Sequence, residues 1–252
     1  MVAFVDVVTP SRSAISPKDP INPGSGADDV VKAFNTWAFK REQPSDINLL
    51  TSFAADAVRQ SEPLSFVAYW GKGPRDSIAE PDLQCLQYLQ QMMRRIEAVH
   101  KPGAELHLIL TDSHAHLNGH KMRSINKYFK AIEAAAQQHG FSTWRLQALT
   151  DAMRPSLKLI TSCNVEYPAA VLSELEKSAA KWYRGGKAID VGARRYFEMN
   201  MVERRVVERV FPRSIFLTFN SSDLSALFPQ KLPIFYMYSL KKGVGVKPWF
   251  LP

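Results

Sequence analysis

The period of the apolar positions changes along the chain, and each change marks an element. From Ala27 the residues Val30, Val31, Phe34, Trp37 and Ala38 fall at helix spacing, with Asp28 and Asp29 in the first turn, where the helix dipole favours acids. A second helix starts at the Ser45-Asp46 cap and runs to Val58. Pro63 then precedes LSFVAYW, a short apolar run ended by Gly71-Lys72-Gly73-Pro74-Arg75, which predicts a buried strand. Pro81 sits at the start of a helix whose stripe is Leu83, Leu86, Leu89, Met92, Met93 and Ile96, and Lys101-Pro102-Gly103 ends it. A second strand covers 105–111. A helix from about Lys121 to His139 follows, closed by Gly140.

Strand, helix, strand, helix with short connections predicts an α/β fold: Rossmann-like, doubly wound, with a mostly parallel sheet and helices on both faces. Residues 142–168 are ambiguous. Helical spacing returns over 168–182 and 188–210, and two β-like runs, 214–220 and 232–240, close the chain. The short link between those runs predicts a hairpin or two neighbouring strands near a sheet edge. Residues 1–26 hold four prolines and Asn22-Pro-Gly-Ser-Gly, so they read as an extended arm, and 27–252 as a single α/β catalytic domain.

Composition narrows the class. A chain of 252 residues, 46% hydrophobic, has enough apolar material for one large core. No run approaches the ~20 apolar residues of a membrane span, and the N-terminus lacks the pattern of a secretory signal, so a cytoplasmic location is expected. Cys85 and Cys163 read as buried thiols. A net charge of +8 admits three readings: an RNA partner, an anionic small substrate drawn to a basic cleft, or a solvated basic surface. No RNA-binding signature supports the first.

In an open α/β sheet, ligands bind where loops leave the carboxyl ends of strands. The first such loop, GKGPR, offers Lys72 and Arg75 to a phosphate or carboxylate, although it lacks the glycine spacing and hydroxyl of a P-loop. The second runs Asp112-Ser113-His114-Ala115-His116-Leu117-Asn118-Gly119-His120. Asp112, His114 and His116 are candidate acid/base groups and Ser113 a candidate contact. In an extended segment the two histidines would share a face, but no metal site is expected. The third set lies on the late helix, where Tyr196, Glu203 and Arg204 are candidates for holding an amine and a carboxylate. Asn220 and Ser221, with Ser222, complete the candidate rim.

In chain order these motifs resemble the pyoverdine/dityrosine biosynthesis family, which includes the isonitrile synthases. The matching segments are Pro63-LSFV, Lys72, Pro81-Asp82-LQCLQYL, Pro102-Gly103-Ala104, Thr111-Asp112, MVERR, Phe211-Pro212-RSIFLTFN and Lys247-Pro248-Trp249-Phe250. The resemblance covers roughly residues 60–250. It implies an enzyme that joins an amino acid's amine to the ketone of ribulose 5-phosphate, with no metal or other cofactor. Lys72 and Arg75 would suit the phosphate. Asn220 and Phe250 stand where the family's motifs carry histidines, and the loop after Thr111 has histidines that the family's loop lacks, so the chemistry is expected to be related but altered.

Cyclodipeptide synthases, which take aminoacyl groups from tRNA, are a second resemblance. Their strand followed by an Asp-Thr-His loop looks like Thr111-Asp112-Ser113-His114, and they use a helical tyrosine and glutamate. Their nucleophilic serine has no counterpart at Trp70-Gly71-Lys72, and Ser77 lies too far along. The third alternative is a non-catalytic protein that binds small molecules.

Overall fold

Alternation within LSFVAYW decides what each side of the central sheet faces. In β1 (Leu64–Trp70), Leu64, Phe66, Ala68 and Trp70 enter the larger core cluster, while Val67 and Tyr69 point to the opposite face. The computed structural model describes residues 25–71, 73–153, 169–219, 222 and 231–238. Within them the chain forms α1 (Ser25–Phe34), α2 (Ile47–Gln60), β1, α3 (Glu80–Glu97), β2 (Ala104–Leu110), α4 (Asp112–Leu117), α5 (Met122–Gln138), β3 (Ser142–Arg145), α6 (Leu146–Met153), α7 (Ala169–Trp182), α8 (Ile189–Val210), β4 (Ile215–Thr218) and β5 (Ile234–Tyr236).

The five strands are all parallel, in the order β3-β2-β1-β4-β5. The expected α/β architecture is therefore present. β1 and β2 are neighbours, paired from Leu64↔Ala104 to Trp70↔Leu110. One sheet face is covered by apolar side chains of α1, α2, α3 and α5, among them Phe34, Leu50, Leu89 and Phe129. On the other face Val67, Ile109 and Phe216 pack with Leu146 of α6 and Val207 of α8. Each large side chain fully buried in this way contributes about 1.5–3 kcal/mol.

Local signals place the elements. Asp46 caps α2, its Oδ1 accepting from Leu49 N at 2.8 Å. Pro81 occupies the first turn of α3, and Asp82 Oδ2 accepts the Ala79 N–H at 2.9 Å. The helix expected from Ala27 begins two residues earlier, at Ser25; residues 1–24 of the expected extended arm lie outside the described residues. Within the ambiguous stretch the described residues form β3 and α6; 154–168 lie outside the described residues.

Of the two readings of the last strands, neighbours near a sheet edge holds and the hairpin does not: β4 and β5 are adjacent and run parallel, Phe216 opposite Ile234 and Thr218 opposite Tyr236. β4 stops at Thr218 and β5 starts at Ile234, so 219–233 are long enough for the crossover that parallel pairing requires. Both strands are largely buried, as parallel strands covered on two sides are. β5 is the sheet's edge, and the segment after α1 shields it. Ser45 N donates to Ile234 O, Arg41 N to Tyr236 O, and Lys40 bridges Met237 in the antiparallel sense.

Candidate functional site

The strand order reverses at β1. The chain steps from β1 outward to β2 and β3, then returns to the other side of β1 for β4 and β5. In open α/β sheets ligands bind at such a switch point, outside the carboxyl ends of the strands, which in β1 are Tyr69 and Trp70. Thr111, the first residue after β2, donates its hydroxyl to Trp70 O at 3.0 Å and so ties the two strand ends together. The loops that follow also meet: a Cβ on Gly73 would lie 3.5 Å from His120 Nε2. Lys72 lies outside the described residues.

The segment after β2 is helical rather than extended, and this separates its histidines. Two helical residues apart is a rotation of ~200°, so His114 and His116 cannot share a face. His114 is 5% exposed, whereas His116 faces solvent. Among the described residues no cluster of His, Cys, Asp or Glu has the geometry to hold a metal ion.

His114 meets α8. Its Nε2 lies 2.6 Å from Glu203 Oε2, and Ser113 Oγ donates to Glu203 Oε1 at 2.9 Å. With the carboxylate ionised, the ring nitrogen is the donor. Glu203 is 2% exposed, so both oxygens are desolvated and each has one protein donor. Tyr196 lies two turns earlier on the same face of α8; its ring packs on His114 with centroids 5.0 Å apart. Asn200, between them, bonds back to Tyr196 O at 2.9 Å. Tyr69 approaches His114 from the sheet, centroids 6.4 Å apart and nearly perpendicular.

The electrostatics follow from burial. Desolvation raises the Tyr69 hydroxyl far above the usual phenol range, and the Glu203 charge raises it further. Burial also raises Tyr196 well above 10. It pulls the Arg204 guanidinium down to about 10, which leaves it charged at neutral pH. The site is thus a buried carboxylate and a half-buried guanidinium on consecutive residues, with two protonated phenols.

Asp112 is placed differently. Its Oδ1 accepts from the backbone N–H of Ser113 at 3.1 Å and of Gln147 at 2.9 Å, which ties the start of α4 to the first turn of α6. Asp112→Ala should therefore cost ~1–2 kcal/mol in urea denaturation, whereas Asp112→Asn, which keeps the acceptor oxygen, should retain most of the stability. Equal stability of Asp112→Ala and the parent would contradict the cap.

Of the predicted residues, the fold thus brings together Ser113, His114, Tyr196 and Glu203, with Arg204 next along α8. Arg75 makes its contact elsewhere, Nη1 lying 3.8 Å from the fully buried Asp82 carboxylate. Arg194, Arg195 and Arg205 are exposed on α8, so the basic side chains of that helix do not all turn to one opening. Asn220 and Ser221 lie outside the described residues; Ser222 bonds the Glu42 carboxylate, its hydroxyl donating at 2.7 Å. The sequence reading missed Tyr69. Its signal was a hydroxyl one residue before the end of an apolar strand, on the face opposite Trp70.

The chain matches no protein-family model and no curated protein. Among solved structures it is similar to the PvcA protein of Pseudomonas aeruginosa, at a TM-score of 0.58 and 12% identity, over 90% of this chain and 88% of that one. A tyrosyl-tRNA synthetase from Archaeoglobus fulgidus, complexed with L-tyrosine, superposes at a TM-score of 0.48 and 11% identity, over 84% of this chain and 63% of that one. The first likeness is one of fold, an α/β sheet flanked by helices. Among the described residues no helix is long and apolar enough to cross a membrane.

Proposed function

We propose that this chain is a biosynthetic enzyme that forms a C–N bond at the amine of an amino acid, with chemistry related to that of the isonitrile synthases. The observation that carries this reading is the Glu203 carboxylate, buried at the switch point and held between Ser113 and His114. A carboxylate has about four lone-pair directions, so two protein donors leave room for a substrate ammonium. Burial strengthens that attraction, because little water competes.

The same pair can move a proton. An ammonium cannot attack a carbonyl, so its proton passes to the Glu203–His114 pair. The freed nitrogen lone pair attacks the ketone carbon of a sugar phosphate such as ribulose 5-phosphate. The proton then returns to the carbonyl oxygen, giving a carbinolamine still protonated on nitrogen, which loses water to the protonated imine. A positioned acid/base group of this kind contributes ~10²–10⁴-fold. Nothing in the sequence requires a cofactor for these steps.

A second reading, aminoacyl transfer from charged tRNA as in cyclodipeptide synthases, is favoured by the convergence of Tyr196 and Glu203 on the His114 segment. One experiment separates the two. The purified chain is incubated with each L-amino acid plus ribulose 5-phosphate, and in parallel with charged tRNA, and products are followed by mass spectrometry. The first reading expects consumption of an amino acid that depends on the sugar phosphate and is lost in Glu203→Gln. Product from charged tRNA alone would establish the second reading. No product in either arm, with binding retained, would mark a binding protein and overturn both.

A further inference from the structure

The Tyr69 hydroxyl is buried and has no hydrogen-bond partner among the described residues. Its ring is wedged edge-on between Phe216, with centroids 5.2 Å apart, and His114. The charged groups that act on it are Glu203, Arg204 and Glu208 of α8. A phenylalanine would fill this strand-end position without leaving a polar atom unsatisfied, so the hydroxyl adds nothing to the stability of the fold. A ligand that accepts a hydrogen bond there gives it a partner. Since burial keeps the phenol protonated, it has a proton to donate to an acceptor.

We propose that the Tyr69 hydroxyl and the Arg204 guanidinium form the carboxylate subsite of the amino-acid site, opposite the ammonium held by Glu203. This rests on the amino-acid reading above. Glu203 and Arg204 are consecutive on α8, ~100° apart around its axis; Glu203 is buried, and Arg204 is half-buried with its Nη1 out of solvent contact. Opposite charges fixed side by side complement a zwitterion, whose ammonium and carboxylate are separated by one carbon. Tyr69 adds a neutral donor from the sheet. The subsite thus selects an α-carboxylate, or the carbonyl of an aminoacyl ester.

The test compares wild type, Tyr69→Phe and Glu203→Gln by calorimetry, against the twenty L-amino acids and then against the amine corresponding to the best binder, which lacks the carboxylate. Tyr69→Phe should melt at the same temperature as wild type or higher. It should bind the amino acid roughly 10- to 100-fold more weakly, the range for a lost hydrogen bond to a charged group, and bind the amine as wild type does. Glu203→Gln should weaken both ligands. A lower melting temperature in Tyr69→Phe, or unchanged amino-acid affinity, would overturn the subsite while leaving the amino-acid reading intact. Failure of the wild type to bind any amino acid would overturn that reading and the subsite with it.

Discussion

Glu203→Gln should lower turnover roughly 10²–10⁴-fold while leaving the protein folded. The amide has the shape of the carboxylate. Its oxygen can still accept the Ser113 hydroxyl, and its NH₂ can donate to His114 Nε2 if the ring carries its proton on Nδ1. The buried contacts therefore survive, and the stability cost should stay near ~1 kcal/mol, that of an exchanged hydrogen bond. What disappears is the negative charge that attracts an ammonium and the site that receives its proton. Glu203→Ala is the contrasting variant. It strands the Ser113 hydroxyl and the His114 ring in a dry pocket and should cost ~3–5 kcal/mol, as when one partner of a buried pair is deleted. Melting temperature and turnover measured on both variants separate the roles. Full turnover in a folded Glu203→Gln would remove Glu203 from the chemistry.

Gly119→Ala should destabilise the fold by roughly 2–4 kcal/mol, combining a strained left-handed residue with a clash that cannot relax. Gly119 has φ +82, and a Cβ there would run into the carbonyl of Arg184, whose carbon lies 2.8 Å away. Gly185 returns the approach, since its own Cβ would fall 2.5 Å from Leu117 O. Two backbones meet here: the turn after α4 and the link between α7 and α8. Neither is a flexible side-chain end that can swing aside. Because α4 carries His114 and α8 carries Glu203, the contact also sets the register of the site, so turnover should fall along with stability. Gly140→Ala is the control. It has φ +78 but no atom within 4 Å of its would-be Cβ, so only the conformational penalty of about 1 kcal/mol applies. Equal denaturation midpoints for the two variants would show that the close approach is not real.

Much of the fold was legible because its cues are local. The strand in LSFVAYW needed only an apolar run bounded by Pro63 and glycine, and the bounds of β1 follow it. The cap at Asp46, the proline opening α3 and the 3.6-residue stripe of α5 act within one or two turns, where sequence neighbours are spatial neighbours. The direction of β5 relative to β4 was not local. A short apolar run looks the same in either direction, and only the pairing of Phe216 with Ile234 and Thr218 with Tyr236 decides it.

The candidate site divides along the same line. The strand end sufficed to single out Ser113 and His114, because loops at the carboxyl ends of parallel strands are where ligands bind, and helical spacing on the late helix singled out Tyr196, Glu203 and Arg204. Which of them meet was settled at long range. Ser113 reaches across 90 residues to Glu203, a pairing that exists only because α8 packs on the sheet face that carries Val67 and Ile109. The helical turn of α4 separated His114 from His116, burying one and exposing the other, and Asp112 became the tie between α4 and α6. Tyr69 is the clearest case. Its sequence shows an aromatic residue in an apolar strand; only the packing of Phe216 and His114 around it leaves its hydroxyl buried beside a carboxylate and a guanidinium, because burial and charge proximity are properties of three-dimensional neighbours rather than of residue order.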